Sequence, residues 1–206
     1  MQKIVIIDYA LNNLWSVEKS LDILGFDYVS TDNHETILNA THLILPGVGS
    51  FKQAMKIIIE KKLDAVINHS IIEKKNKILG ICLGFQLLGK KGYEDGESQG
   101  LGLIDSEVIK FSNNKLKVPH VGFNNISIIN KKSLLYKDID NLSDFYFVHS
   151  YLMPYPNKNI KEDYIATCTY GEKFIASVEL NNIFGTQFHP EKSQSNGLKL
   201  IKNFLN

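Results

Sequence analysis

The sequence predicts an α/β fold: a central, mostly parallel sheet with helices on both faces and a β-rich second half. Three observations predict it. Up to about residue 80, short apolar runs alternate with stretches of helical periodicity. The first of them, Ile4-Val5-Ile6-Ile7, is continuously apolar, as in a strand buried on both faces of a parallel sheet. Past about residue 100 the chain becomes a series of short β-rich runs separated by Gly, Asn and Lys.

Ile4-Val5-Ile6-Ile7 is the first strand and ends in Asp8-Tyr9. Asn12 or Asn13 is placed to cap a helix in which Leu14, Val17, Leu21 and Leu24 recur at spacings of three and four, and Gly25 is placed to stop it. FDYVST is the second strand, HLILP (42–46) the third, and Phe51 to Asn68 one helix with Ala54, Ile57, Ile58, Val66 and Ile67 apolar. KILGI (77–81) is the fourth strand. This βαβαβαβ order implies parallel pairing, and ligands of such sheets sit beyond the carboxyl ends of the strands. Both Pro46-Gly47-Val48-Gly49 and Gly80-Ile81-Cys82 fall at such ends, so two distant segments meet at one site. In the second half, GLIDSEVIKF, VPHVGFNNISII, FYFVHSYLM, DYIATCTY, KFIASVEL and IFGTQFHP read as strands. Ser195 to Leu205 reads as a closing helix with Leu198, Ile201, Phe204 and Leu205 inward.

With 206 residues, no repeat and no low-complexity linker, the expectation is one domain over 1–206. Lys and Arg number 23 against 22 Asp and Glu, a net charge of +1 that asks for neither nucleic acid nor an anionic membrane. Two cysteines, Cys82 and Cys168, build no disulfide framework, and no Cys/His cluster has zinc spacing. The N-terminus lacks signal-peptide shape and no stretch approaches a membrane span, so a reducing cytoplasm is expected. His34, His42 and His69 read as solvated or satisfied locally, and Cys168 as a strand residue.

Chemistry enters at Gly80-Ile81-Cys82-Leu83-Gly84, the G-x-nucleophile-x-G pattern of a strand-to-helix elbow. The flanking glycines allow a tight turn that exposes the thiol above the sheet at a helix N-terminus. A small buried cysteine at a βα turn has the same pattern. A nucleophilic thiol needs a base, since a free one of pKa roughly 8.5 is mostly protonated at neutral pH. His189 and Glu191, in GTQFHPEKS, are two apart and project to one side of an extended chain, which Pro190 favours. A carboxylate beside an imidazole fixes its tautomer and stabilises the imidazolium. A solvated HPE turn is the plainer alternative.

GICLGFQ, FHPEKS and PGVGSF, in their order along the chain, resemble the class I (triad) glutamine amidotransferases. The resemblance implies a flavodoxin-like class I amidotransferase fold and hydrolysis of glutamine to glutamate and ammonia through a γ-glutamyl thioester. It implies Cys82 as nucleophile, His189 as general base then acid, and Glu191 as the group orienting the histidine. Val48 and Leu83 N–H match the oxyanion hole, Gly47 and Gly49 give the first loop room to move, Gln86 matches a substrate contact, and Glu94 matches the acid receiving the α-amino group. No metal or organic cofactor is implied.

IDYALNNLWSV, LPGVGSFKQAM, GLGLI, VPHVGFN, FYFVHSY and GTQFHPEKSQ narrow the likeness to the glutaminase subunits of imidazole glycerol phosphate synthases, in histidine biosynthesis. That likeness places His149, Ser150 and Tyr151 beside the glutamine. It places Asn13, His120, Phe123 and Asn124 toward a partner: a (β/α)8 cyclase subunit, in a heterodimer, that receives the ammonia. Asn12, Phe85 and Phe123 depart from the usual Gly, Met and Trp. A paralogue that feeds ammonia to a bacterial surface-sugar amidotransferase is one alternative; a stand-alone γ-glutamyl cysteine hydrolase and a non-enzymatic subunit are others.

Overall fold

The computed structural model describes residues 2–10, 13–112, 116–130, 132–161 and 165–206. The first strands are β1 (Ile4–Ile7), β2 (Tyr28–Thr31), β3 (His42–Leu45) and β4 (Lys77–Ile81), with α1 (Leu14–Leu24), α2 (His34–Leu38), α3 (Phe51–Glu60) and α4 (Leu63–Asn68) between them. A π-helical turn, His69–Glu73, precedes β4, and α5 (Leu83–Leu87) follows it. The second half contains β5 (Gly89–Gly92), β6 (Ser98–Gln99), β7 (Ile104–Lys110), β8 (His120–Asn125), β9 (Ser127–Ile128), β10 (Asp144–His149) and β11 (Tyr151–Pro154). It ends with β12 (Ile165–Tyr170), β13 (Glu172–Leu180), β14 (Ile183–Thr186), a 3-10 turn Pro190–Lys192 and α6 (Gln194–Leu205).

The main sheet runs β2-β1-β3-β4-β14-β13-β11-β7-β5-β6. Its first five strands are parallel. From β14 onward the antiparallel pairs β14–β13, β13–β11 and β11–β7 extend it. β12 covers the other edge of β13, and β8 pairs with β10 in a separate two-stranded ribbon. Alternate residues of the buried strands serve opposite faces, as the period of two requires. Val5, Ile7, Leu43 and Leu45 pack with Phe51, Met55, Ile58, Leu63 and Ile67. Ile4, Ile6, Ile44 and Ile81 pack with Val17, Leu21, Leu200, Ile201 and Phe204. Helices therefore lie on both faces, and β3 and β4 lie side by side with their carboxyl ends at one edge.

Three of the local expectations are corrected. Gly25 ends α1 in the left-handed region at φ 75°, with Gly25 and Phe26 N–H on the carbonyls of Asp22 and Leu21. Asn13 occupies the cap position but makes no side-chain capping bond; its Nδ2 meets Ser16 Oγ at 3.5 Å, and Asn12 lies outside the described residues. The helix expected over 51–68 is two, broken where Lys62 turns left-handed at φ 56°. Eighteen residues of straight helix would run about 27 Å, against roughly 13 Å for a four-residue strand, and the break folds Leu63 and Ile67 back onto the sheet. In α6 the inward stripe is 197, 200, 201, 204 and 205, which leaves Leu198 half-buried at its margin. His42 is buried on β3 with Nδ1 on Thr41 Oγ1 at 2.9 Å, and burial pushes its pKa down to about 4. Among the described residues no helix is long and apolar enough to cross a membrane.

Candidate active site

Cys82 sits between β4 and α5 with φ 52° and ψ −105°. A non-glycine residue held in that region is strained. The strain falls on the cysteine, not on its glycines, which corrects the expectation that Gly80 and Gly84 supply backbone freedom. They supply space. A Cβ on Gly80 would meet the Phe85 backbone at 2.7 Å, and one on Gly84 would collide with the Leu45 carbonyl. Strand and helix pass so closely that only glycine fits at either position, and the chain reverses at Cys82 itself. Cys82 N–H donates to Thr186 O at 2.7 Å, tying the elbow to β14.

His189 lies just beyond β14. Its N–H donates to Tyr146 O at 2.8 Å, and Ser193 Oγ clamps the pair by donating to His189 O at 2.6 Å and accepting from Tyr146 N–H at 2.9 Å. The histidine is extended (φ −96°, ψ 96°), as a residue before proline should be. Glu191, however, reaches it through the 3-10 turn rather than along an extended chain. Its Oε1 is 2.7 Å from His189 Nδ1, with the two side chains only 4% and 5% exposed. Burial alone would depress the His189 pKa, but the charges of Cys82 and Glu191, with their hydrogen bonds to the ring, push it up to about 10. Both partners thus favour the imidazolium over the neutral ring.

The elbow opens into a cleft of ≈ 290 Å³. Gly47, Val48, Gly49, Cys82, Leu83, Gln86, Glu94, His149, Ser150, Tyr151 and His189 all line it, together with Pro119, Val148 and Lys192. Every catalytic, oxyanion and substrate candidate except Glu191, which stands behind His189, is therefore at one site. Gly49 adopts φ 96°, where glycine is favoured, and Val48 is 42% exposed. Leu83 opens α5, where backbone N–H groups have no intrahelical acceptor. Glu94 Oε2 accepts the Phe51 N–H at 2.8 Å, and burial raises its pKa against the pull of that bond.

Gln86, His149 and His120, like Glu94, are already committed to internal bonds. Gln86 Nε2 donates to Tyr151 O at 2.8 Å and to Gln187 Oε1 at 3.0 Å. His149 Nδ1 bonds Tyr151 O at 2.8 Å, and its Nε2 faces His120 Nδ1 at 3.1 Å. A carbonyl only accepts, so His149 carries its proton on Nδ1 and accepts from His120. Burial pushes both imidazoles down, to about 3 and about 4, so both are neutral. His120, expected at the partner face, is buried, its ring stacked on Phe147 and Tyr170. Of the other partner-facing candidates, Phe123 is 52% exposed, Asn124 Nδ2 bonds Thr169 O at 3.1 Å, and Asn13 is exposed.

Sequence reasoning missed Ser193, Tyr9 and Gln187. Tyr9 is buried with its hydroxyl against Gly47 and without a hydrogen-bond partner among the described residues. Burial and then the Cys82 charge raise its pKa. Gln187 precedes His189 by two positions, the same spacing used to join His189 to Glu191.

The class I glutamine amidotransferase family profile matches residues 5–206. The chain is 46% identical over 204 residues to imidazole glycerol phosphate synthase subunit HisH 1 of Campylobacter jejuni (strain RM1221), covering 98% of each. It is 43% identical over 201 residues to subunit HisH of Aquifex aeolicus (strain VF5), covering 97% of this chain and 94% of that one. The fold is similar to a PurLQS structure from Thermotoga maritima, with a TM-score of 0.74 at 20% identity over 100% of this chain and 98% of the other. The chain belongs to the class I glutamine amidotransferases and, among them, to the HisH subunits of imidazole glycerol phosphate synthase.

Proposed function

We propose that this chain, as one glutaminase domain over 1–206, hydrolyses glutamine at Cys82 and passes the ammonia to a (β/α)8 cyclase partner in the cytoplasm. The observation that carries the chemistry is the joining of Cys82, on a strained elbow, to a buried His189–Glu191 pair at 2.7 Å in a cleft lined by the PGVG loop. Cys82 Sγ attacks the amide carbon of glutamine. The resulting oxyanion lies toward the N–H groups of Val48 and Leu83. His189, cationic in the resting site, gives its proton to the leaving nitrogen, and ammonia departs. A γ-glutamyl thioester remains on Cys82. Water then attacks the thioester as His189 takes its proton, and glutamate leaves. Glu191 keeps the imidazole oriented and stabilises its charged form.

An ammonia donor needs its cleft closed, since ammonia released into water is protonated and lost. Pro119 lines the cleft, and the next outward residues of β8, Val121 and Phe123, are exposed and apolar. Exposed apolar side chains two and four residues beyond a cleft-lining proline support a partner on this side. The test is glutamate release by the chain alone, then with a (β/α)8 cyclase subunit and its nucleotide ligand, with Cys82→Ala as control. Stimulation that the control abolishes supports this reading. Full activity of the chain alone would identify a self-sufficient hydrolase instead.

A further inference from the structure

Gln187 is fully buried, and its side chain ends on the sulfur that performs the chemistry. Its Nε2 lies 3.8 Å from Cys82 Sγ, within reach of an N–H···S bond. We propose that Gln187 is a further catalytic residue: its carboxamide N–H holds the Cys82 sulfur as an acceptor and so favours the thiolate. This rests on Cys82 being the nucleophile.

The direction of that bond is fixed from outside the amide. The Tyr151 carbonyl can only accept, so Gln86 must turn its nitrogen toward it, and does at 2.8 Å. The other hydrogen of the same nitrogen goes to Gln187 Oε1 at 3.0 Å. With its oxygen engaged there, Gln187 can present only its nitrogen to the sulfur. Reversing Gln187 would set two donors face to face on Gln86 and turn an oxygen toward the thiolate. Gln187 N–H is itself pinned to Ala176 O at 2.8 Å, so the carboxamide is aimed by backbone at one end and by Gln86 at the other. The Tyr151 carbonyl that starts the chain also takes the His149 Nδ1–H at 2.8 Å, with His120 donating in turn to His149 at 3.1 Å.

An amide donor bonds a thiolate more strongly than a thioester sulfur. The bond therefore acts at both ends of the reaction. It stabilises the resting thiolate opposite the His189 cation. In deacylation, water's oxygen forms a bond to the acyl carbon, its proton goes to His189, and the C–S bond breaks with its electron pair left on sulfur. Gln187 stabilises that departing thiolate. The other ionisable groups facing the sulfur or its cleft are His189, backed by Glu191, with Tyr9, Glu94, His149, Tyr151 and Lys192, and the Val148 carbonyl lies 3.7 Å from the sulfur; none of these is removed when Gln187 alone is changed.

The test is Cys82 alkylation by iodoacetamide across pH, run beside glutamate release, on the full chain with Gln187→Leu and Gln187→Glu. Loss of a hydrogen bond to a charged group corresponds to roughly tenfold to a hundredfold. Gln187→Leu is expected to slow alkylation near neutral pH by that factor, to move the pH of half-maximal alkylation upward, and to lower kcat with little change in KM. Gln187→Glu keeps the bond from Gln86 and sets an oxygen against the sulfur, so its loss should be larger. A residue that merely fills space would lower Tm and leave the alkylation profile in place. Folded variants that alkylate and turn over within twofold of wild type would overturn the proposal. A measurement independent of variant folding at 187 uses ¹⁵N-labelled chain: Cys82→Ala must shift the Gln187 side-chain amide resonances, and their staying fixed would overturn it. Glutamate release that survives Cys82→Ala would instead sink the nucleophile reading.

Discussion

The two cysteines of this chain are both buried, at 8% and 2% exposure, yet they occupy opposite chemical worlds. Cys168 lies mid-strand in β12, paired with Phe174 of β13 just past a register shift between Ala166 and Thr167. Burial alone pushes its thiol up to about 12, against a small opposing pull from the Thr169 backbone, and it stays protonated. Cys82 lies where a strand meets a helix, at φ 52°, with a histidine cation, an amide donor and a cleft around its sulfur. Low exposure is common to both. What separates them is which charges and donors the backbone brings to the sulfur, and whether a substrate-sized space lies beyond it.

That comparison breaks most sharply by substitution. Cys82→Ala should reduce glutamate release by more than about 10³-fold, while Cys168→Ala leaves it within a factor of about two and costs about 1 kcal/mol of stability; initial-rate assays and thermal melts check both. Glu191→Gln should lower kcat by roughly 10²- to 10⁴-fold and change the pH profile. The sign is set by His189. Its raised pKa, about 10, depends partly on Glu191, so removing that charge lowers it, and the alkaline fall of kcat/KM moves to lower pH. In the wild type, His189 pairing contributes stability that is complete below about pH 6.5 and lost as pH rises through about 10.

Gly84→Ala tests the elbow from the packing side. Its Cβ meets the Leu45 carbonyl, which cannot move without breaking the β3–β4 ladder. A loss of about 3 kcal/mol, read from denaturant midpoints, is expected, with glutaminase activity falling alongside. The smallest effect concerns the neutral histidines. Burial holds His42, His120 and His149 at about 4, 4 and 3, below the ordinary value. Their contribution is present above about pH 6.5 and lost as pH falls toward 4 and 3, so Tm should decline by a few degrees over that acid range.

The parallel half was legible because β1, β3 and β4 are mostly apolar, buried runs and α1 carries its apolar residues at spacings of three and four. The elbow was legible as a pattern, but its physics was misassigned. Sequence gives no way to see that the Gly80 and Gly84 backbones run against Phe85 and Leu45, because those contacts exist only once β3, β4 and α5 are packed. His120 illustrates a second limit. In VPHVGFN it looks like any polar residue on a ribbon, and only the packing of that ribbon against Tyr170 of β12 and Phe174 of β13 buries it. The break at Lys62 follows from the length of the sheet, which no window of helix periodicity contains. Gln187 was within reach: it shares a two-residue spacing with His189, and a donor on that side of the chain faces the same sulfur.

The most direct test of the contrast between the two cysteines is labelling with a chloroketone analogue of glutamine, located by peptide mass mapping beside residual glutamate release. A thiolate poised in a glutamine-shaped cleft displaces chloride from such a reagent. One label per chain on Cys82, none on Cys168, with activity lost in proportion and excess glutamine protecting, is the predicted result. Activity lost while Cys82 stays unlabelled, or label on Cys168 at a matching rate, would contradict it.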